Sequence, residues 1–258
     1  MVLESGAEGN MQEFEEDRIA AVVSSLNFPS GRQEPDMSVK KRQFIDLSHV
    51  VEHGMITYKG LPALIISDHM SREQSRSKYA AGTEFHIGKI EMVANTGTYL
   101  DSPFHRYADG RDLSELPLES LADLDGIVVH STVQATTAAV FRGLSLEGKA
   151  VLVHTGWDVH WRTEQYSSGH TFLSEDAAQY LADSKAALVG IDSFNIDSIK
   201  DALRPVHSTL LKANIPIVEH LCGLGQLPNS DFRFFAAPVK VKNFGSFPVR
   251  AFAIVSGH

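Results

Sequence analysis

From Phe44 onward the chain alternates short apolar runs with turn residues, and this alternation constrains the fold more than any other feature. Six of these runs are rich in Val and Ile and none exceeds seven residues, which is typical of β-strands. They are "KIEMVA" at 89–94, "GIVVH" at 126–130, "AVLVH" at 150–154, "AALVGID" at 186–192, "IPIVEHL" at 215–221 and "VRAFAIV" at 249–255.

Helical patterns lie between some of these strands. "SEDAAQYLADS" opens with Ser174 in an N-cap position and two acids in its first turn, and "RPVHSTLLKA" carries a proline suited to a first helical turn. The tract at 232–255, "FRFFAAPVKVKNFGSFPVRAFAIV", predicts a β-meander. The sequence therefore predicts a single α/β domain over residues 44–258, with more strand than helix. Residues 1–43 are predicted to form an N-terminal arm, mobile or docked at the periphery.

Composition excludes several classes of function. The chain has 23 Lys plus Arg against 32 Asp plus Glu, a formal net charge of -9, so there is no excess of cations to bind a nucleic-acid backbone. No apolar run approaches the roughly 18 residues of a membrane helix. The one cysteine, Cys222, allows no intramolecular disulfide and is interpreted as a packed thiol. The first residues are acidic, unlike a signal peptide, and a cytoplasmic protein is expected.

The tract "NTGTYLDSPFH" at 95–105 is the first candidate site. Because side chains alternate along an extended segment, Asn95, Tyr99, Asp101 and His105 share one parity. They follow "KIEMVA", which is interpreted as a buried strand. Several polar side chains aimed to one side of such a segment favour a functional site over a solvated loop.

A second candidate pairs His207 with Glu219. The histidine lies in the helical pattern "RPVHSTLLKA" and the glutamate in the strand that follows, so the two can meet across a short turn. Glu219 shares its parity with Ile215 and Ile217, which places a carboxylate toward an apolar interior. Such a carboxylate needs a cation, a metal or a hydrogen-bond partner, unless the strand end reaches water.

Weaker signals surround these two groups. Trp157 and Trp161 lie in "HTGWDVHW", directly after a strand, where they either line a pocket for a flat substrate or cover the edge of the core. Among the remaining histidines, His86 is a reserve ligand. "CGLGQLP" lacks the third glycine and the following helix of a nucleotide-binding loop.

Together these residues resemble a known family. "NTGTYLDSPFH" is similar to the pattern His-x-Gly-Thr-His-x-Asp-x-Pro-x-His of the cyclase-like metal-dependent hydrolases, which include bacterial-type kynurenine formamidase and isatin hydrolase. "IDLSH" at 45–49, "GLP" at 60–62 and "VGIDSFNID" at 189–197 resemble further family segments. His207 and Glu219 stand twelve positions apart, as in the family's second site segment. The resemblance covers roughly residues 44–255.

The resemblance implies a compact, swivelling β/β/α domain with a mixed sheet and peripheral helices, assembled as a homodimer or larger oligomer. It implies a divalent ion, manganese or zinc, bound by Asp101, His207 and Glu219, with His105 as general base beside Asp101. Asn95 and Tyr99 stand where the pattern has histidine ligands. They are therefore assigned, with Trp157, to the small-molecule substrate.

The resemblance implies an arylformamidase-like hydrolase that opens an amide, lactam or lactone of a small acid. Two alternatives stay open because two histidines are replaced. In one, Asp101 and His105 act without an ion as an acid–base pair, and Tyr99 donates a hydrogen bond to a carbonyl oxygen. In the other, the chain is a catalytically silent binding protein. If an ion is bound, Asn95 oxygen or a Tyr99 phenolate completes an oxygen-rich site.

Overall fold

A computed structural model describes residues 41–257, which form thirteen strands and three α-helices joined by loops and short 3-10 turns. The strands are β1 (Arg42–Asp46), β2 (Ile65–Met70), β3 (Ile87–Glu91), β4 (Tyr99–Asp101), β5 (Leu124–His130), β6 (Ala135–Thr136), β7 (Ala150–His154), β8 (Phe172–Leu173), β9 (Leu188–Ile191), β10 (Ile217–Glu219), β11 (Phe232–Phe235), β12 (Ser246–Pro248) and β13 (Phe252–Ser256). The helices are α1 (Arg72–Arg76), α2 (Glu175–Asp183) and α3 (Pro205–Lys212).

One nine-stranded mixed sheet, in the order β1-β13-β11-β5-β7-β9-β10-β4-β12, carries the architecture. Its centre, from β5 to β10, is parallel, and the strands on both sides pair antiparallel. Two small sheets, β2-β3 and β6-β8, lie apart from it. The predicted fold class, an α/β domain with a mixed sheet and peripheral helices, is confirmed.

Both faces of the central strands are buried, which explains their continuous apolar sequences. Along β7, Val151 and Val153 pack with the helices α2 and α3, whereas Leu152 packs into a second core on the other face of the sheet. At Gly126 in β5 a side chain would lie 1.9 Å from the ring of Phe232, so only glycine permits this strand pairing.

Two details of the predicted strand arrangement are wrong. β11 and β13 pair with each other, but β12 lies at the opposite edge of the sheet beside β4, so the C-terminal tract is not a meander. β3 is exposed along its whole length and, within residues 41–257, pairs with β2 alone, whereas β4 is buried and itself carries Tyr99 and Asp101. Local periodicity identifies these segments as strands but carries no information on which strands pair.

The domain division stays a prediction. Residues 1–40 of the predicted arm lie outside the described residues, and β1 begins at Arg42, two residues before the predicted boundary. Within residues 41–257, no helix is long and apolar enough to cross a membrane.

Candidate active site

The sheet register around β4 assembles the candidate site. β4 lies between β10 and β12, with Tyr99 opposite Glu219 and Asp101 opposite Ser246. A 3-10 turn over Pro103–His105 follows β4 and returns His105 toward Asp101. Gly245 permits this approach, because a side chain there would lie 2.5 Å from the His105 backbone nitrogen.

Asp101, His105 and His207 converge on one point. Each offers a ligand atom, and the three atoms lie within 4.8 Å of one another. The His105 Nδ1 atom is 3.5 Å from Asp101 Oδ1, and the His207 Nε2 atom is 3.5 Å from Asp101 Oδ2. Asp101 is fully buried, and no group among residues 41–257 donates a hydrogen bond to its Oδ2 atom. A buried carboxylate oxygen without a donor is suited to bind a cation.

Asp197 orients His207. Its Oδ2 atom accepts a hydrogen bond of 2.6 Å from His207 Nδ1, and its carboxylate also accepts from the backbone nitrogens of Val206 and His207 at the start of α3. With its proton held on Nδ1, a neutral His207 directs the Nε2 lone pair toward Asp101. This carboxylate–histidine pairing is the usual support of a metal-binding imidazole.

The carboxylates around His207 dominate its electrostatics. Burial alone lowers the pKa of His207, but the charges of Glu219, Asp101 and Asp197 outweigh it and raise the pKa to about 9. Burial likewise raises the pKa of Asp101, yet His207, His105 and Ser246 together hold that pKa below its ordinary value. Without an ion, the site therefore pairs an imidazolium with ionised carboxylates, and an incoming metal would displace the His207 proton.

Ser246 connects Asp101 to His105. Its hydroxyl donates a short hydrogen bond to Asp101 Oδ1, and its oxygen lies 2.8 Å from His105 Nδ1. Because the single hydroxyl proton is directed to the carboxylate, the serine oxygen can only accept a hydrogen bond from the N–H of His105 Nδ1. The Nε2 atom of His105 is then left with a free lone pair.

Glu219 is fully buried, as its strand parity predicts, and both of its oxygens accept hydrogen bonds. The backbone nitrogen of Ile196 donates to Oε1 at 2.6 Å, and the hydroxyls of Tyr99 and Tyr58 donate to Oε2. Oε1 lies 3.9 Å from His207 Nε2. Glu219 thus borders the Asp101–His105–His207 cluster without being a member of it.

Burial and the charge of Glu219 raise the pKa of both Tyr99 and Tyr58 well above 10. The two hydroxyls, 2.7 Å apart, are therefore protonated donors. Without an ion, the nearest carboxylate keeps the proton on the Tyr99 phenol oxygen. Completion of a metal site by a Tyr99 phenolate stays a prediction.

A layer of neutral polar groups lies behind the tyrosines. His220 is fully buried, with Nε2 at 2.9 Å from the Tyr58 hydroxyl and Nδ1 at 2.7 Å from the Tyr166 hydroxyl. Burial lowers the pKa of His220 to about 3, so the ring is neutral. This network fixes the Tyr58 ring from behind and stabilises its orientation toward Glu219.

Two predicted substrate contacts, Asn95 and Trp157, make no hydrogen bond to this cluster within residues 41–257. Asn95 is half-buried on the bend before β4, and no hydrogen bond within residues 41–257 joins its side chain to the cluster. The Trp157 indole donates to the Tyr166 carbonyl at 2.9 Å and packs against His160. The reserve ligand His86 pairs with Asp68 on the exposed β2–β3 hairpin.

Three site residues were missed by the sequence reasoning. Asp197 lies inside the quoted segment "VGIDSFNID", so an acidic residue shortly before the helix of His207 was its signal. Tyr58 lies in the loop "MITYKGLP", before the "GLP" that resembles the family. Ser246 is 145 positions from Asp101 in the chain, and no local pattern marks it.

A cavity of about 510 Å³ lies next to the site. Its walls include the aromatic rings of Trp161, Tyr166 and Phe194 and the cationic side chains of Lys59 and Arg162. Phe194 packs against Tyr58, with ring centres 4.9 Å apart, and Tyr58 in turn reaches Glu219. The cavity wall is therefore connected to Glu219 through Phe194 and Tyr58.

The fold and site define an α/β protein with a buried cluster of carboxylates and imidazoles at one edge of a mixed sheet. The sequence profile of the Cyclase family, described as "Putative cyclase", matches residues 45–198, and the chain belongs to this family. Kynurenine formamidases of Bacillus cereus and Bacillus mycoides are each 27% identical to it over 214 residues, which cover 83% of this chain and 98% of each relative.

Solved structures agree in fold. A structure described as a potential metal-dependent hydrolase with cyclase activity superposes with a TM-score of 0.69 at 25% identity, covering 84% of this chain and 100% of that one. An isatin hydrolase bound to the product analogue thioisatinate gives a TM-score of 0.71 at 19% identity, covering 93% and 98%. The second likeness concerns the fold alone.

Proposed function

We propose that the protein is an arylformamidase-like hydrolase, which uses water to open an amide, lactam or lactone of a small, preferably aromatic acid. The observation that carries the proposal is the convergence of Asp101, His105 and His207 within 4.8 Å, with one Asp101 oxygen lacking a donor among the described residues. The similarity to kynurenine formamidases over most of both chains supports the amide as the bond attacked.

The residues present fit one divalent ion, manganese or zinc. Asp101 Oδ2 and His207 Nε2 would hold it, with the nearby Glu219 as third ligand and His105 left free beside them. Imidazole and carboxylate together suit either ion. A bound ion supplies Lewis-acid polarisation of a carbonyl oxygen and eases the deprotonation of water.

His105 is the proposed general base. The Ser246 oxygen accepts a hydrogen bond from His105 Nδ1. The lone pair on His105 Nε2 is therefore available to take a proton from the attacking water. The side chain is about one-third exposed, which gives water and substrate access to it. Asp101, through Ser246, stabilises the imidazolium that forms, in the way a buried carboxylate supports a catalytic histidine.

The aromatic cavity is the proposed binding place of the substrate's planar group. Trp161, Tyr166 and Phe194 provide the flat apolar walls, and Lys59 provides positive charge for an acidic substituent. Arg162 also lines the cavity but is paired with Glu52. Trp161 lines the cavity, and a contact of the substrate with Trp157 stays a prediction. Contacts of the substrate with Tyr99 and Asn95 stay predictions.

A screen with N-formylkynurenine, an isatin-type lactam and an unsaturated lactone tests the function. Each would be incubated with ion-free, manganese-loaded and zinc-loaded protein, and with Asp101→Asn as control. Turnover by the loaded wild type and its loss in the variant support the proposal. Equal turnover by ion-free protein would favour the acid–base pair Asp101–His105 acting alone. No turnover under any condition would favour a silent binding protein.

The exposed β2–β3 hairpin supports a homodimer or larger oligomer. Ile66 and Ile90 are opposite each other in the hairpin and are 41% and 56% exposed, and Ile65, Phe85 and Ile87 are also exposed. Apolar patches of this kind mark interaction surfaces. Light scattering should show an oligomer that dissociates when Ile66 and Ile90 are both replaced by Lys. A wild-type monomer at micromolar concentration would contradict the proposal.

A cytoplasmic location is also proposed, because a chain with a single cysteine fits a reducing compartment. Cell fractionation of the native host should recover the protein with cytoplasmic markers, and recovery with the envelope would contradict this.

A further inference from the structure

A second cluster of chemistry-bearing side chains lies at the carboxyl edge of the parallel strands, apart from the candidate active site. His130 ends β5 and His154 ends β7, and the two residues are register partners. Asp192 follows the end of β9, the next strand across the sheet. The carboxyl ends of parallel strands are where open α/β sheets place their ligands.

The two imidazole rings face each other with their Nδ1 atoms. The Nδ1 atoms of His130 and His154 lie 2.9 Å apart, with ring centres separated by 4.9 Å. His130 is exposed and His154 half-buried, so the space around the two nitrogens is open to solvent. The His154 ring is also held against Gly225, where a Cβ atom would lie 3.2 Å from its Cε1 atom.

The outer nitrogens of both rings face oxygen acceptors. His130 Nε2 lies 3.0 Å from Asn229 Oδ1, and His154 Nε2 lies 3.8 Å from Asp192 Oδ2. Asp192 is itself fixed by hydrogen bonds from Thr155 and Gly156. With protons on both Nε2 atoms, two Nδ1 lone pairs point into the same space. Such a pair of lone pairs can bind one cation, whereas without an ion one Nδ1 atom carries a proton and donates a hydrogen bond to the other.

We propose that His130 and His154 form a two-imidazole site for a zinc, nickel or copper ion, bound through their Nδ1 atoms. Two nitrogens at about 2.05 Å from an ion are about 2.9 Å apart at the right angle of a square-planar copper or nickel site, and about 3.3 Å apart at the tetrahedral angle of zinc. The rings therefore need to separate by less than about 0.5 Å. Asn229 and Asp192 orient the rings, as outer partners do for metal-binding histidines. Imidazole donors favour these ions over magnesium and manganese.

Equilibrium dialysis against zinc chloride, with zinc per chain measured by mass spectrometry, tests the site. The wild type would be compared with His130→Asn, His154→Asn and the control His86→Asn, which removes an exposed histidine that faces a carboxylate elsewhere. Thermal melts establish that each variant is folded. His130 is exposed, so its replacement should leave the fold intact.

His130→Asn and His154→Asn should each bind one zinc equivalent fewer than the wild type. The control His86→Asn should bind as much zinc as the wild type. Asn229→Ala should lower the affinity for this zinc ion about tenfold, because the His130 ring loses the hydrogen-bond partner of its Nε2 atom. Excess magnesium should not displace it. If both variants bind as much zinc as the wild type, the histidines share only a proton and the site is refuted. Zinc loss in only one variant would also overturn a site that needs both imidazoles.

Discussion

Replacing Ser246 with alanine removes the group that connects Asp101 to the proposed base His105. The hydroxyl donates to a buried carboxylate and accepts from His105 Nδ1, so the variant leaves one Asp101 oxygen short of a donor and frees the ring to change tautomer. A hydrogen bond to a charged group contributes about 1.5–3 kcal/mol. Since about 1.4 kcal/mol corresponds to a factor of ten, kcat should fall roughly 10- to 100-fold.

The chain offers a matched control in Ser102. This serine is the residue after Asp101 and fully buried, and its hydroxyl has no partner among the described residues. Ser102→Ala therefore removes the same atom from the same neighbourhood without breaking a hydrogen bond. Steady-state kinetics on the best substrate of the screen should show KM nearly unchanged in both variants and the fall in kcat only in Ser246→Ala.

If Ser246→Ala keeps a kcat within about twofold of Ser102→Ala, Ser246 makes no contribution to the base and its proposed role is refuted. A fall confined to KM would assign Ser246 to substrate binding instead. Thermal unfolding of both variants would establish that a lower rate does not come from loss of folded protein.

Two further predictions concern the groups behind the site. Asp197→Asn should weaken manganese or zinc binding by about 10- to 100-fold, measured by calorimetry, because His207 loses its orienting carboxylate; unchanged affinity would remove His207 from the ligand set. The pKa of His220 is about 3 in the folded protein and about 6.5 in the unfolded chain. As the pH drops below 6.5, the unfolded chain takes up a proton at this histidine and the folded protein does not, so the free energy of unfolding should fall. Between pH 7 and pH 5 this loss is about 2 kcal/mol, and in urea titrations His220→Gln should lose correspondingly less than the wild type; equal losses would contradict the assignment.

The part of the site that the sequence predicts rests on short-range geometry. His207 and Glu219 lie on a helix and the strand directly after it, and the parity of Glu219 correctly places its carboxylate in the interior. Asp101 and His105 are joined by one turn. In each case a few residues of chain fix the relation between two side chains, so spacing is sufficient to predict that they meet.

The part that the sequence does not predict depends on contacts between distant segments. Ser246 reaches Asp101 because β12 crosses to the far edge of the sheet, and the C-terminal tract was expected to stay together as a meander. Tyr58 enters the site from a loop without regular structure, and its role follows only from packing against Phe194 and His220. Strand order and loop packing are set by the whole core, so no periodicity within one segment encodes them.

Metal-dependent hydrolysis at Asp101 and His207 is tested most directly by the rate of amide hydrolysis, measured while ion-free protein is titrated with manganese or zinc. The rate should rise from near zero to a plateau that requires Asp101 and His207, and Asp101→Asn should stay inactive at every ratio. The His130→Asn variant should reach the same plateau, because that residue lies outside the candidate active site. Full activity in ion-free protein, or equal activity in Asp101→Asn, would contradict metal-dependent catalysis at this site.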